Sequence, residues 1–350
     1  MVTMKQIAER TGVSVSTVSL VLNHRDEGRV KADIARKVRA TAQELGYQPN
    51  ALARSLRTNK IPIIGFVSEE VATTPYAGGI IQGAQDAARE LGYLLITVSG
   101  DDAATVEQEV LALKRYGIDA FIYSAMSNRV VTIPQCLADY PLVLADATDR
   151  DNRFPAIEPD EFRIGYDATT RLIEAGCANI AYVGCTTPGP IIAQRGRLEG
   201  YRAALDDHGR EFNEALVCNV DGNEEALRAV EHLFAEQHPD GFFCFNDSRA
   251  WYVYECAARQ GLIVGKDISV VGVDNHRVIA ETFAPQLTTI ALPHYEMGYW
   301  AADKLISIVE HRDIAPMPNP LMLAPIPPLD GEEPVKMHCV LIEKESVRPQ

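Results

Sequence analysis

Residues 7–23 read "IAERTGVSVSTVSLVLN". The composition is unusual for a helix: Val15, Val18 and Val21 are β-branched, and Ser14, Ser16, Thr17 and Ser19 favour caps and turns. The surroundings nevertheless bracket a short helix. Gly12 ends a preceding helix that Thr3 and Gln6 open as a capping box, with Met4, Ile7 and Ala8 on its inner side. Ser14 caps the next one. At about 100° per residue, Val15, Ser16, Ser19, Leu20 and Asn23 share one face of that helix. Thr17, Val18, Val21 and Leu22 share the other. The second face is apolar apart from Thr17 and packs inward. The first is small and polar, except for Leu20. A third helix over about 31–45 puts Ile34, Val38, Ala42 and Leu45 on one side and stops at Gly46. Two helices joined across a tight glycine turn, in a basic segment, describe a helix-turn-helix.

The charge is unevenly spread. The chain of 350 residues carries a net −15, which taken alone argues against nucleic acid as a partner. Residues 1–60 hold eleven Lys and Arg against five acids, and the rest holds 22 against 43. A basic head on an acidic body needs a reason. The length calls for two or three domains. No apolar run approaches the ~20 residues that span a bilayer. The opening "MVTMKQIAER" is polar with no apolar signal core, so a cytoplasmic protein without a membrane partner is expected. The seven cysteines are scattered without a CxxC pair and read as small buried hydrophobes. No catalytic motif stands out. "GLIVGKD" at 261–267 has the wrong spacing for a phosphate loop, and HExxH, GxSxG and the dinucleotide fingerprint are missing. The expectation is therefore no catalytic residue, no metal and no cofactor.

After Lys60 the periodicity changes. Short apolar runs ("IPIIGFV", "YLLITVS", "AFIYSA", "PLVLAD") alternate with amphipathic stretches over about 79–91 and 104–116. A second series follows: helices about 165–175, 197–208, 224–235 and 249–260, with "NIAYVG", "ALVCNV", "GFFCFND" and "ISVVGVDN" as strands. Such alternation predicts an α/β body of two doubly wound parallel-sheet subdomains, with ligands bound at the carboxyl ends of the strands. The Pro-rich stretch after Glu310 reads as a surface loop, followed by the strand-like "KMHCVLIEKESV".

Over nearly its whole length the chain resembles the lactose-repressor/galactose-repressor (LacI/GalR) family of transcription regulators. The resemblance is carried by 7–23, by "ELGYQPNALARSL" at 44–56, and by "RLEGYRAAL" at 197–205. It continues in "FNDSRA" at 245–250, "DISVVGVDN" at 267–275 and "PQLTTI" at 285–290. It implies an all-α helix-turn-helix domain (1–46), a hinge helix and linker (47–60) and a two-lobed effector-binding and dimerisation body of periplasmic-binding-protein type (61–350). The implied partners are double-stranded operator DNA, a sugar-type effector and a second copy of the chain in a homodimer. Val15, Ser16 and Leu20 would meet base edges in the major groove, and Ser14, Thr17 and Asn23 the phosphates. Ala53 and Arg54 match hinge positions near the minor groove. Leu56 matches a leucine that wedges into a base step and kinks the duplex; core packing is its alternative. Position 20 is commonly arginine in this family. Leucine donates no hydrogen bond, so it forgoes ~1–3 kcal/mol of base discrimination and offers only apolar contact.

For the effector, Arg197, Asn246 and Asp274 carry over as hydroxyl-binding residues. Asp146 and Ser124 stand at strand ends facing the cleft, Tyr76 is a candidate sugar platform, and Trp251 and Asn223 are looser candidates. Several have a plainer reading: Asp274 as a turn cap, Arg197 and Arg195 as helix-surface charge, Asn246 and Asp247 as helix caps, Tyr76 and Trp251 as core. Asp160 sits nearer the crossover than the pocket. After Ile290 the usual wall residue is lacking, with His294 nearby. Three functions compete: a DNA-binding regulator, released by its ligand or dependent on it as a corepressor; a solute receptor of the same fold, which the basic head and the lack of an export signal oppose; and an enzyme of sugar metabolism, which no motif supports.

Overall fold

The computed structural model describes residues 2–23, 25–47, 62–74, 77–100, 102–186, 192–222, 224–331 and 334–349. The chain divides into two compact units, 1–62 and 63–350. In the first, α1 (Met4–Thr11), α2 (Val15–Leu22) and α3 (Ala32–Glu44) enclose Ile7, Ala8, Val18, Val21, Ala35, Val38 and Ala42. The capping box of Thr3 and Gln6 is formed, and Gly12 takes φ 73°, a left-handed value that glycine adopts without strain. Lys37 Nζ donates to the Thr11 carbonyl at 3.0 Å, tying α3 to the end of α1.

The second unit starts as the sequence predicts, with β1 (Ile63–Glu69), α4 (Gly78–Glu90), β2 (Leu94–Ser99), α5 (Ala103–Arg115), β3 (Phe121–Val131) and β4 (Leu142–Asp149), followed by a short strand outside that expectation, β5 (Ala156–Pro159). The chain then passes to a second sheet through α6 (Glu161–Glu174), β6 (Ile180–Cys185), α7 (Ile192–Asp207), β7 (Val217–Val220), α8 (Glu224–Gln237), β8 (Gly241–Cys244), α9 (Asp247–Gln260), β9 (Ser269–Asp274), α10 (Arg277–Ala280) and β10 (Thr288–Ala291). Helix α11 (His294–Glu310) and β11 (Val335–Met337) return to the first sheet, and β12 (Val340–Ile342) closes the second. The sheet orders are β11-β5-β4-β3-β1-β2 and β12-β10-β9-β8-β6-β7. Each sheet has an apolar layer on both faces.

Four further features depart from the sequence reading. The lobes are not serial, because α11 and β11 rejoin the first one. Helix α11 went unread: it is buried on nearly every side, so it has no polar stripe to mark its period. The Pro-rich stretch is a coil, but it is strapped onto α11 rather than lying loose. Leu323 N and Ala324 N donate to Glu296 Oε1, Lys304 Nζ donates to the Leu329 carbonyl, and Ile314 and Ala324 join the core. The last strand, β12, also breaks the all-parallel expectation, pairing antiparallel with β10.

Two helix pairs cross at glycines. A Cβ on Gly200 of α7 would lie 2.0 Å from the Phe162 carbonyl oxygen, and one on Gly165 of α6 would lie 2.0 Å from that of Arg197. Gly83 and Gly298 do the same for α4 and α11.

Candidate functional site

In the small unit, Ser14 caps α2 by accepting from Thr17 N at 3.1 Å. Its hydroxyl also lies 2.7 Å from that of Ser16 and 2.9 Å from that of Thr17. Val18 and Val21 are fully buried, whereas Ser14, Ser16 and Val15 (46% exposed) face solvent. Thr17, Ser19, Leu20 and Asn23 are half-buried, and Asn23 Nδ2 donates to the Ser19 carbonyl at 2.6 Å. The first turn of α2 contains no acid, so its unpaired N–H groups keep their partial positive charge. Lys5, Arg25, Arg29, Lys31 and Arg36 are exposed on the same unit. The exposed start of α2 is small and hydroxyl-rich, which suits close approach to a phosphate backbone. Ala53, Arg54 and Leu56 lie outside the described residues, as do Tyr76 and Asn223.

In the large unit a pocket between the sheets is lined by Met126, Ser127, Asp146, Glu161, Arg197, Phe245, Asn246, Asp274, Leu292 and His294. Four sequence candidates therefore converge: Asp146, Arg197, Asn246 and Asp274. Two do not. Trp251 is 47% exposed on α9 and stacks edge-on against Tyr252, because its helix buries Ala250, Val253 and Cys256 instead. Ser124 is fully buried within β3. That strand does not end there: a bulge between Ser124 and Arg129 interrupts its register with β4 and leaves Met126 and Ser127 at the pocket.

Arg197 is not surface charge. It is 3% exposed; Nε donates to Glu161 Oε2 at 2.7 Å, the guanidinium donates to the Phe245 carbonyl, and it lies 4.5 Å from the Phe245 ring centre. The glycine crossing of α6 and α7 permits this contact, since both charged residues sit beside it. Burial works against the guanidinium charge, yet Glu161 holds its pKa above the ordinary arginine value. Asn246 does two jobs: its side chain caps α9 by accepting from Arg249 N at 3.1 Å, and it lines the pocket.

Asp146 and Asp274 both occupy the left-handed region, at φ 54° and 114°. Non-glycine residues are rarely held there unless the surroundings over-determine them. For Asp274 that framework is visible. Asp247, expected as a cap, is instead buried and accepts from His276 N at 2.7 Å and Thr289 Oγ1 at 2.5 Å, pinning the turn after β9. Lys344 Nζ adds a bond to Asn275 Oδ1 at 2.8 Å. Burial, then Glu161, pushes the Asp146 carboxyl well above its usual range, against an opposing backbone hydrogen bond from Asn128. Burial, then Asp247, does the same to Asp274.

Met126, Ser127, Glu161, Phe245 and Leu292 escaped the sequence reading. The bulge leaves no mark in a pattern of alternation. Glu161 and Leu292 stand at crossovers between sheets, and the abrupt "PDE" at 159–161 was the available signal.

Residues 62–321 match the model for periplasmic binding proteins and the sugar-binding domain of the LacI family, and residues 3–50 match that for bacterial regulatory proteins of the lacI family. The chain belongs to the LacI family. Like its relatives, this LacI-family protein is a transcriptional regulator. It is 32% identical to the ribose operon repressor of Escherichia coli, over 87% of this chain and 92% of that one. The structure of a CelR–cellobiose complex matches at TM-score 0.65 and 25% identity, over 99% and 100% of the two chains. A lac repressor dimer bound to operator and the anti-inducer ONPF has the same fold, at TM-score 0.73 and 20% identity, over 99% of each.

Proposed function

We propose that this LacI-family protein is a cytoplasmic, homodimeric repressor of carbohydrate-utilisation genes that leaves a palindromic operator when a sugar-type molecule fills the pocket. The convergence of Asp146, on a strand of the first sheet, with Arg197, Asn246 and Asp274 from the second lobe carries this reading. A polyol bonded to both sides favours the arrangement that brings them together. A ligand shifts a conformational equilibrium only by its differential affinity for the two states. The α2 surface and the hinge residues Ala53, Arg54 and Leu56 would bind DNA, with Leu56 as the wedge.

The pocket binds without turnover in this reading, so the purified protein leaves its sugar chemically unchanged. The relatives named above support a sugar, since one is a ribose operon repressor and another was solved with cellobiose. The test is a thermal-shift screen of sugars followed by operator binding with and without the hit. Weakened operator binding is expected. A sugar that stabilises the protein yet leaves operator affinity unchanged would refute the effector role.

A further inference from the structure

The charge balance of the pocket narrows the ligand further, on the premise that the pocket is the effector site. Three carboxylates line it, Asp146, Glu161 and Asp274, against one guanidinium, Arg197; a second, Arg249, stands behind the lining, bonded to Asn246 Oδ1 at 3.2 Å and 5.6 Å from the Phe245 ring centre. Arg197 is already committed to Glu161 at 2.7 Å and to the Phe245 carbonyl. Asp146, 3% exposed, and Asp274 belong to no ion pair among the described residues. Burial, then a neighbouring acid, raises the pKa of each, so these surroundings already disfavour negative charge.

Helix N-termini ordinarily offer anions a second refuge. Three helices start beside this pocket, and each carries an acid in its first turn. Asp160 caps α6 by accepting from Arg163 N at 3.0 Å, and Glu161 fills its first turn. Asn246 caps α9, and the buried Asp247 fills its first turn. Helix α11 begins at the lining residue His294 without a side-chain cap, and its Glu296 accepts from Leu323 N and Ala324 N. His294 is the other lining residue able to carry positive charge.

We infer that the pocket selects an uncharged polyol and rejects the phosphorylated or carboxylated forms of the same sugar. Hydroxyls donate to Asp146 and Asp274, whereas a phosphate or carboxylate placed there meets two acids and a cation that is already paired. Charge thus acts as the negative element of specificity, and the hydroxyl acceptors as the positive one.

The test is binding to the full chain by calorimetry, at pH 6 and pH 8. The matched probes are ribose with ribose 5-phosphate, glucose with glucose 6-phosphate and glucuronate, and sucrose with sucrose 6-phosphate. The neutral member of any binding set should bind at least 100-fold more tightly at both pH values. Asp146→Asn and Asp274→Asn should each narrow that gap about tenfold, with unchanged melting cooperativity showing that both variants fold. An anionic member that binds as tightly as its parent overturns the inference, as does a gap that neither variant changes. If that anionic sugar also releases the operator, the repressor reading stands and only the charge rule falls. If no sugar of either kind binds, the effector reading falls and the charge rule with it.

Discussion

Leu20 lies half-buried beside the exposed Val15 and Ser16, on the face of α2 turned away from Val18 and Val21. Where relatives commonly carry arginine, this side chain can offer a base only apolar contact. Leu20→Arg is therefore expected to change the preferred base pair at one position of each half-site in a binding-site selection. An unchanged motif would place residue 20 away from the bases. Arg197 tests the other site. Arg197→Ala strands Glu161 without its cation at a position 4% exposed, and removing one partner of a buried pair costs about 3–5 kcal/mol. Denaturant unfolding should register that loss, and adding Glu161→Gln should recover much of it. The sequence disclosed Arg197, Asn246, Asp274 and Asp146 because each sits in a motif or at a strand end. It could not disclose that Trp251 turns outward, since a helix alone does not say which side meets the sheet.

Among the elements, α11 was the largest omission, because it is surrounded by the first sheet, α4 and the Pro-rich strap. Its Asp303 is buried, and Oδ2 has no hydrogen-bond partner among the described residues. Burial and the nearby Glu90 push its pKa up to about 7, against the opposing charge of Arg312. The folded state therefore holds a proton that the unfolded chain has already lost. The stability tied to that proton is present at low pH and drains away as pH rises from the ordinary carboxylate value through about 7. Asp303→Asn should raise the melting temperature relative to wild type, by more at pH 8 than at pH 5; an equal shift at both would show that Asp303 does not titrate there. The helix crossing at Gly200 makes a steric prediction. Its Cβ would stand 2.0 Å from a backbone oxygen, so Gly200→Ala must part α6 from α7. Calorimetric melting should fall, and effector affinity with it, because Glu161 and Arg197 sit at that crossing.

At the scale of the molecule, the alternation of strands and helices was enough to predict two doubly wound lobes on a helix-turn-helix head. Which lobe each late segment joins was not legible, because three crossovers between sheets look locally like any loop. Those crossovers matter for function. They leave Glu161, Leu292 and His294 at the pocket, where a ligand meets the chain passing from lobe to lobe. Coupling free energies between two sites are typically ~1–3 kcal/mol, or roughly 5–150-fold in affinity. The most direct measurement is operator affinity of the full chain, by fluorescence anisotropy at fixed salt, titrated with a neutral sugar that calorimetry shows to bind. The wild type should lose operator affinity within that roughly 5–150-fold range, and Asp274→Asn should bind the operator normally yet respond only at higher sugar concentrations. Saturating sugar that leaves wild-type operator affinity where it began would contradict the account.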